Sequence, residues 1–236
     1  MIYFIGAGPG DPELITIKAQ KILQKADVVL YTGSLVPKEV LKWCKDDTLI
    51  VNSHKMKYPE IFDFLQKYSN KIVARVHTGD PTLYSTIAKQ IEFLKSKNIK
   101  YKVIAGVSAS FGASASLGIE YTIPALSQTL IITRIEGKTP NPEKLENILS
   151  CKHSSIVFYL SIGLIEKLEK KALEMGYSPD TPCWVVEKAT WSEEKVYKGT
   201  ISTIREKVSH IKGLALILFG DFLYQKELEE SHLYRK

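Results

Sequence analysis

The sequence predicts an α/β protein built from two unlike α/β domains, and three observations predict it. Short β-branched runs alternate with amphipathic stretches along the whole chain. Three turns rich in glycine and other small residues each follow a strand-like run in the first half. The pattern then breaks around residues 118–127, where Pro124 interrupts a polar-to-apolar transition, and resumes with different spacing. The expected domains are therefore 1–120 and 121–236.

In the first half, strands are expected at 2–5, 28–31, 49–51, 72–77 and 101–104. Helices fall between and after them, at 16–25, 37–43, 58–68, 83–97 and 108–117. Thr16 is placed to cap the first helix, with Ile17, Ile22 and Leu23 as its inward stripe. The last of these helices is almost wholly Ala, Ser and Gly, which permits close approach by a neighbouring backbone or a ligand, and equally suits plain tight packing. In the second half, strands are expected at 129–134, 156–160, 183–187, 195–199 and 214–219, with helices at 143–149, 162–175 and 201–211.

Bulk composition narrows the function. With 44% hydrophobic and 25% charged residues, the 236-residue chain is ordinary for a folded globular protein. No apolar run approaches the roughly 20 residues that cross a bilayer, and no basic flank precedes an apolar leader, so a cytoplasmic protein without membrane association is expected. Cys44, Cys151 and Cys183 are odd in number and never paired as CxxC, and His54, His77, His153, His210 and His232 are scattered. Neither a disulfide frame nor a protein-held metal is indicated. The net charge of +6 comes from lysines spread along helices, which argues against nucleic acid and is compatible with steering of a polyanionic small substrate.

The chemistry-bearing signals are the three turns. Gly6-Ala7-Gly8-Pro9-Gly10-Asp11-Pro12 directly follows the first strand, and its alternating glycines leave backbone bare and free to take positive φ. The spacing matches neither GxGxxG nor a P-loop, and the second strand ends Tyr31-Thr32-Gly33-Ser34 without the acid that a nicotinamide ribose requires. Thr78-Gly79-Asp80-Pro81 follows the fourth strand, and alone reads equally as a strand-to-helix turn or a ligand loop. Ala105-Gly106-Val107-Ser108-Ala109 follows the fifth. Three such turns on one sheet edge outline a cleft. No nucleophile elbow or Cys/His constellation is present in the sequence.

Taken together, GAGPGDPELIT, ADVVLYTGSLV, RVHTGDPTLYS, AGVSASFGASASLG, SQTLIITRIEGKTP and EKATW resemble the tetrapyrrole methylases of cobalamin biosynthesis. GAGPGDP and HTGDP are similar to the wider family, whereas YTGSLV, SQTLIITR and KATW are similar to its branch that methylates C11 of precorrin-4 or cobalt-precorrin-4. The resemblance implies two α/β domains with S-adenosylmethionine and a polycarboxylate tetrapyrrole in a trough between them, and a homodimer. It implies cofactor contacts at Pro9, Thr78, Gly79, Asp80, Leu83, Ser108, Ala109, Leu160 and Ala189. Arg134, Lys138 and Lys188 lie in or beside the matched motifs, where they are candidates to pair with substrate carboxylates or are simply solvated. Any cobalt would arrive inside the substrate, and the proton acceptor is open among Asp80, Glu187 and water. The chain departs from the family pattern at Ala105, at Ala125 and over residues 54–57.

Overall fold

The computed structural model describes residues 1–224; residues 225–236, including His232 and the end of the expected second domain, lie outside the described residues. The chain divides into two compact units, 1–112 with 190–192, and 113–189 with the chain from 193 onward.

The first unit carries β1 (Ile2–Gly6), α1 (Ile17–Leu23), β2 (Val28–Tyr31), β3 (Leu49–Asn52), α2 (Tyr58–Lys67), β4 (Val73–His77), α3 (Ile87–Ser96) and β5 (Tyr101–Ile104). Its sheet is wholly parallel in the order β3-β2-β4-β1-β5. Both faces are covered over the central strands β2, β4 and β1, which are buried nearly throughout, whereas the edge strands β3 and β5 are largely exposed. On one face Ala19 and Leu23 of α1 pack with Ile5, Val29 and Val76. On the other, Ile61 and Leu65 of α2 and Ile87 and Leu94 of α3 pack with Phe4, Leu30 and Val73. The chain leaves β1 towards the β2 side and leaves β4 towards the β5 side. The carboxyl ends of these adjacent strands are thus a topological switch point, where open α/β sheets bind ligands.

The second unit carries β6 (Thr129–Thr133), α5 (Leu145–Ser150), β7 (Ser154–Phe158), α6 (Ile165–Glu174), β8 (Pro182–Glu187), β9 (Lys195–Thr200), α7 (Ile204–Val208) and β10 (Ala215–Phe219). Its order is β6-β7-β10-β8-β9, with β6 and β7 parallel and the other pairs antiparallel. Phe158, Val185, Ile217 and Phe219 meet Leu149, Leu168 and Ile204 in its core. The last helix of the first half, α4 (Ala109–Leu117), contains the change-over between the units at 112/113, a few residues before the expected boundary.

Several local expectations are corrected. Ile17 is 69% exposed, although Thr16 does cap α1 by accepting the Ala19 N–H at 3.2 Å. At 3.6 residues per turn Ile17 sits about 160° around the helix from Ala19, so the buried stripe runs through Ala19 and Leu23 instead. Residues 38–43 form a 3-10 helix, and the helix expected at 201–211 shrinks to α7. The helix expected from Leu83 begins only at Ile87. Asp80 ties residues 82 and 83 into a turn, and Tyr84 and Thr86 are left-handed at φ 53° and 54°, which no α-helix tolerates. The strand expected to reach Leu160 stops at Phe158, because Leu160 is left-handed at φ 53°.

Candidate functional site

Parallel pairing brings the ends of β4, β1 and β5 side by side, so the three turns converge within the first unit. Gly79 donates its N–H to the Gly8 carbonyl at 2.7 Å, and Ala7 donates to His77 at 2.8 Å. A Cβ on Gly6 would stand 2.6 Å from both the Gly79 oxygen and the Gly106 Cα. A Cβ on Gly106 would strike the same Gly79 oxygen. These two glycines exist because three backbones cross at one point. Gly79 differs: it is left-handed at φ +62°, and a Cβ there would meet nothing nearer than 3.6 Å. That glycine is buried, but the space around it would hold a methyl group in ordinary contact.

Asp80 fastens the arrangement. One carboxylate oxygen accepts the Thr82 N–H at 2.8 Å and the Thr82 hydroxyl at 2.5 Å, and the other accepts the Gly106 N–H at 2.9 Å. Partial burial pushes its pKa up, but the bonds from Thr82 and Gly106 outweigh that and hold the carboxyl below its ordinary value. A carboxylate with both oxygens engaged in this way is a clasp and a poor proton acceptor.

The first loop is pinned from afar in sequence. Trp191 donates its indole N–H to the Pro9 carbonyl at 2.9 Å, and Thr190 accepts the Asp11 N–H at 3.0 Å. A Cβ on Gly112 of α4 would stand 2.6 Å from the Pro9 ring, so one role of the small-residue helix is to let Pro9 lie against it. Ser108 and Ser110 hydroxyls are 3.3 Å apart at the start of α4, beside the half-buried Ala109. Thr78 and Leu83 are also half-buried.

In the second unit Leu160 is 71% exposed, an apolar side chain on a left-handed corner, and Ala189 is buried between left-handed Lys188 and Thr190. Seven non-glycine residues have positive φ among the described residues, and five of them (Tyr84, Thr86, Leu160, Lys188 and Thr190) coincide with or lie within three positions of an expected cofactor contact. Each such conformation costs about 1–3 kcal/mol, and strain of this kind collects at ligand sites.

The three candidates for substrate carboxylates fare differently. Arg134 clasps its own loop, donating to the carbonyls of Thr139 (2.9 Å) and Pro140. Lys188 pairs with Glu193 at 3.0 Å. Lys138 is exposed on the loop that Arg134 holds. Among the described residues no cluster of three or more His, Cys, Asp or Glu could hold a metal.

Residues that sequence reasoning passed over include Thr190, Trp191 and a buried polar group on β4. Arg75 is 4% exposed and donates to Leu30 O (3.3 Å), Ser53 Oγ (2.8 Å) and Gln90 Oε1 (3.4 Å), all neutral acceptors. Burial lowers its pKa to about 10. His77, 6% exposed, is driven to about 3 by burial and then by the Arg75 charge, and its Nε2 is buried with no partner. Only Trp191 had a signal in sequence, since an indole N–H on a tight motif needs an acceptor.

The model of the tetrapyrrole (corrin/porphyrin) methylases matches residues 1–205. The chain belongs to that family. Among relatives of this methylase, the cobalt-precorrin-4 C(11)-methyltransferase of Methanocaldococcus jannaschii is 45% identical over 100% of this chain and 93% of its own length. The precorrin-4 C(11)-methyltransferase of Pseudomonas aeruginosa is 37% identical over 99% and 95%. The X-ray structure of a cobalt-precorrin-4 methyltransferase, a cobalamin biosynthetic enzyme, superposes on the methylase with a TM-score of 0.90, 40% identity and coverage of 94% and 95%. A uroporphyrin-III C-methyltransferase from Thermus thermophilus complexed with S-adenosylhomocysteine gives 0.78, 26% identity and coverage of 94% and 98%.

Proposed function

We propose that the chain is an S-adenosylmethionine-dependent C-methyltransferase that methylates C11 of precorrin-4 or cobalt-precorrin-4 in cobalamin biosynthesis. The observation that carries this reading is the end-to-end likeness, at 45% identity, to a C(11)-methyltransferase. The left-handed turn at Gly79 and the left-handed residues Leu160, Lys188 and Thr190 support it, because backbone held in such conformations collects at ligand sites. The residues therefore fit such a donor. Pro9, Thr78, Gly79, Asp80, Leu83, Ser108, Ala109, Leu160 and Ala189 are the positions we assign to holding it.

When bound, S-adenosylmethionine supplies a methyl group already activated on a sulfonium sulfur. What is left to the chain is alignment of ring carbon, methyl and sulfur, worth up to roughly 7–11 kcal/mol when reactants are well oriented. The glycine crossing and the Asp80 clasp give that alignment a rigid floor. Because Asp80 is engaged, the proton lost by the macrocycle goes to water or to Glu187, which is half-buried and accepts the Tyr197 hydroxyl at 3.2 Å. We also propose that the chain acts as a homodimer in the cytoplasm, which ultracentrifugation and cell fractionation check.

Isotope-labelled S-adenosylmethionine and enzymatically made precorrin-4, with and without cobalt, test the reading. NMR should place the new methyl on C11. A methyl elsewhere on the ring redirects the regiochemistry, and donor binding without any methylated product overturns the enzyme reading.

A further inference from the structure

Arg134 and Lys188 are committed to partners of their own chain, yet the proposed substrate carries several carboxylates. The first unit offers a different place for one. The ten-residue α3 starts at Ile87 behind the N-cap Thr86, whose side chain makes no capping bond, so no N-cap side chain screens its first-turn N–H groups or its positive end. Beneath it runs β4, and the Arg75–Gln90 hydrogen bond fixes the register of helix on strand. His77 lies two residues beyond Arg75 on the same face, about 6.6 Å along the strand. Thr86 lies four residues back from Gln90, about 6 Å along the helix. On these ideal spacings the imidazole comes level with the first turn of α3, and its ring lies against Phe4 at 6.0 Å.

His77 is buried, and its Nε2 is unpartnered. Arg75 next to it holds a positive charge against neutral oxygens only. The acid nearest in sequence, Asp80, is engaged with Thr82 and Gly106. Tyr84 and Thr86, in the stretch that leads into α3, are held in left-handed conformations. One anion would serve all three: the orphaned imidazole in its Nε2–H tautomer, the helix without a side-chain cap, and the buried cation without a counter-ion.

We propose that the N-terminus of α3 and His77 Nε2, backed by Arg75, form a subsite for one carboxylate of the tetrapyrrole substrate. His77, as the Nε2–H tautomer, donates one hydrogen bond and the first-turn N–H groups of α3 donate the others. This rests on the tetrapyrrole reading of the site and adds to it the element that takes a substrate side chain.

The test uses the full chain and uroporphyrin III, a stable polycarboxylate tetrapyrrole, titrated by quenching of tryptophan fluorescence. Calorimetry with S-adenosylhomocysteine and thermal melts run in parallel. Thr86→Asn and Thr86→Asp both suit a left-handed cap, and only the second adds a negative charge. Thr86→Asp should bind uroporphyrin III at least tenfold more weakly than Thr86→Asn, with Tm and S-adenosylhomocysteine affinity equal in the two. His77→Phe should weaken uroporphyrin III several-fold. Equal porphyrin affinity in the two Thr86 variants, or no binding by the wild-type chain, overturns the subsite. Wild-type binding that shows the Thr86 difference but never leads to methyl transfer defeats the enzyme reading and leaves the subsite standing.

Discussion

Asp80 and Gly106 are joined by a 2.9 Å hydrogen bond from the Gly106 N–H to the carboxylate, although they follow strands that are not neighbours. β4 and β5 flank β1, so this bond spans the β1 loop and locks three turns with one side chain. Asp80→Asn replaces an acceptor-only group by one with an amide that faces donors. We expect a loss of about 1–2 kcal/mol in chemical denaturation and at least tenfold weaker S-adenosylhomocysteine binding by calorimetry. An unchanged denaturation midpoint would show that the clasp contributes nothing.

The two glycines behind that clasp should respond differently. Gly106→Ala drives a Cβ into the Gly79 carbonyl and the Gly6 backbone, none of which can swing away. About 2–3 kcal/mol of destabilisation is expected, together with loss of donor binding. Gly79→Ala has room for its Cβ and suffers only from its φ of +62°, about 1–2 kcal/mol. Parallel melts and calorimetry check the order of the two effects.

His77 makes the fold sensitive to acid. Its pKa is about 3 when folded against 6.5 for the free side chain, so the fold favours the neutral ring. That stabilisation is complete above the unfolded pKa and is lost as pH falls from about 6.5 towards 3, to a limit of about 5 kcal/mol. Denaturation midpoints measured across that window should flatten in His77→Phe. A wild-type curve as flat as the variant's would contradict the burial argument.

Arg75 is expected to resist conservative exchange. Lysine lacks the fork that reaches Leu30, Ser53 and Gln90 at once, so Arg75→Lys should cost about 2–3 kcal/mol in denaturant. Hydrogen exchange should quicken around Ser53 and the first turns of α3.

Trp191 ties its segment to the first loop through one indole N–H. Trp191→Phe keeps the ring and removes that donor, leaving Pro9 O to find water. An expected loss of about 1 kcal/mol, with faster exchange confined to residues 7–11, distinguishes the pin from general packing.

Much of the fold was legible because its signals are local. A parallel strand buried on both faces must be apolar throughout, and so 28–31 announced itself with the observed bounds. Turns that need positive φ or close approach need glycine, which marked 6–10, 79 and 106. Elements shaped by tertiary contacts were less legible. Nothing around Leu83 shows that Asp80 will capture residues 82 and 83 and delay α3 to Ile87, nor does the apolar character of Ile17 reveal that it faces water.

From the chain alone came the α/β class, the strand succession, the glycine turns and the likeness to a methylase family, all of which depend on residue type and spacing along the backbone. Which side chains share a hydrogen bond depends on distances through space. That Arg134 spends its guanidinium on its own loop, that Asp80 reaches Gly106, and that His77 is left without a partner were decided only when strands far apart in sequence came within about 3 Å of each other's donors and acceptors.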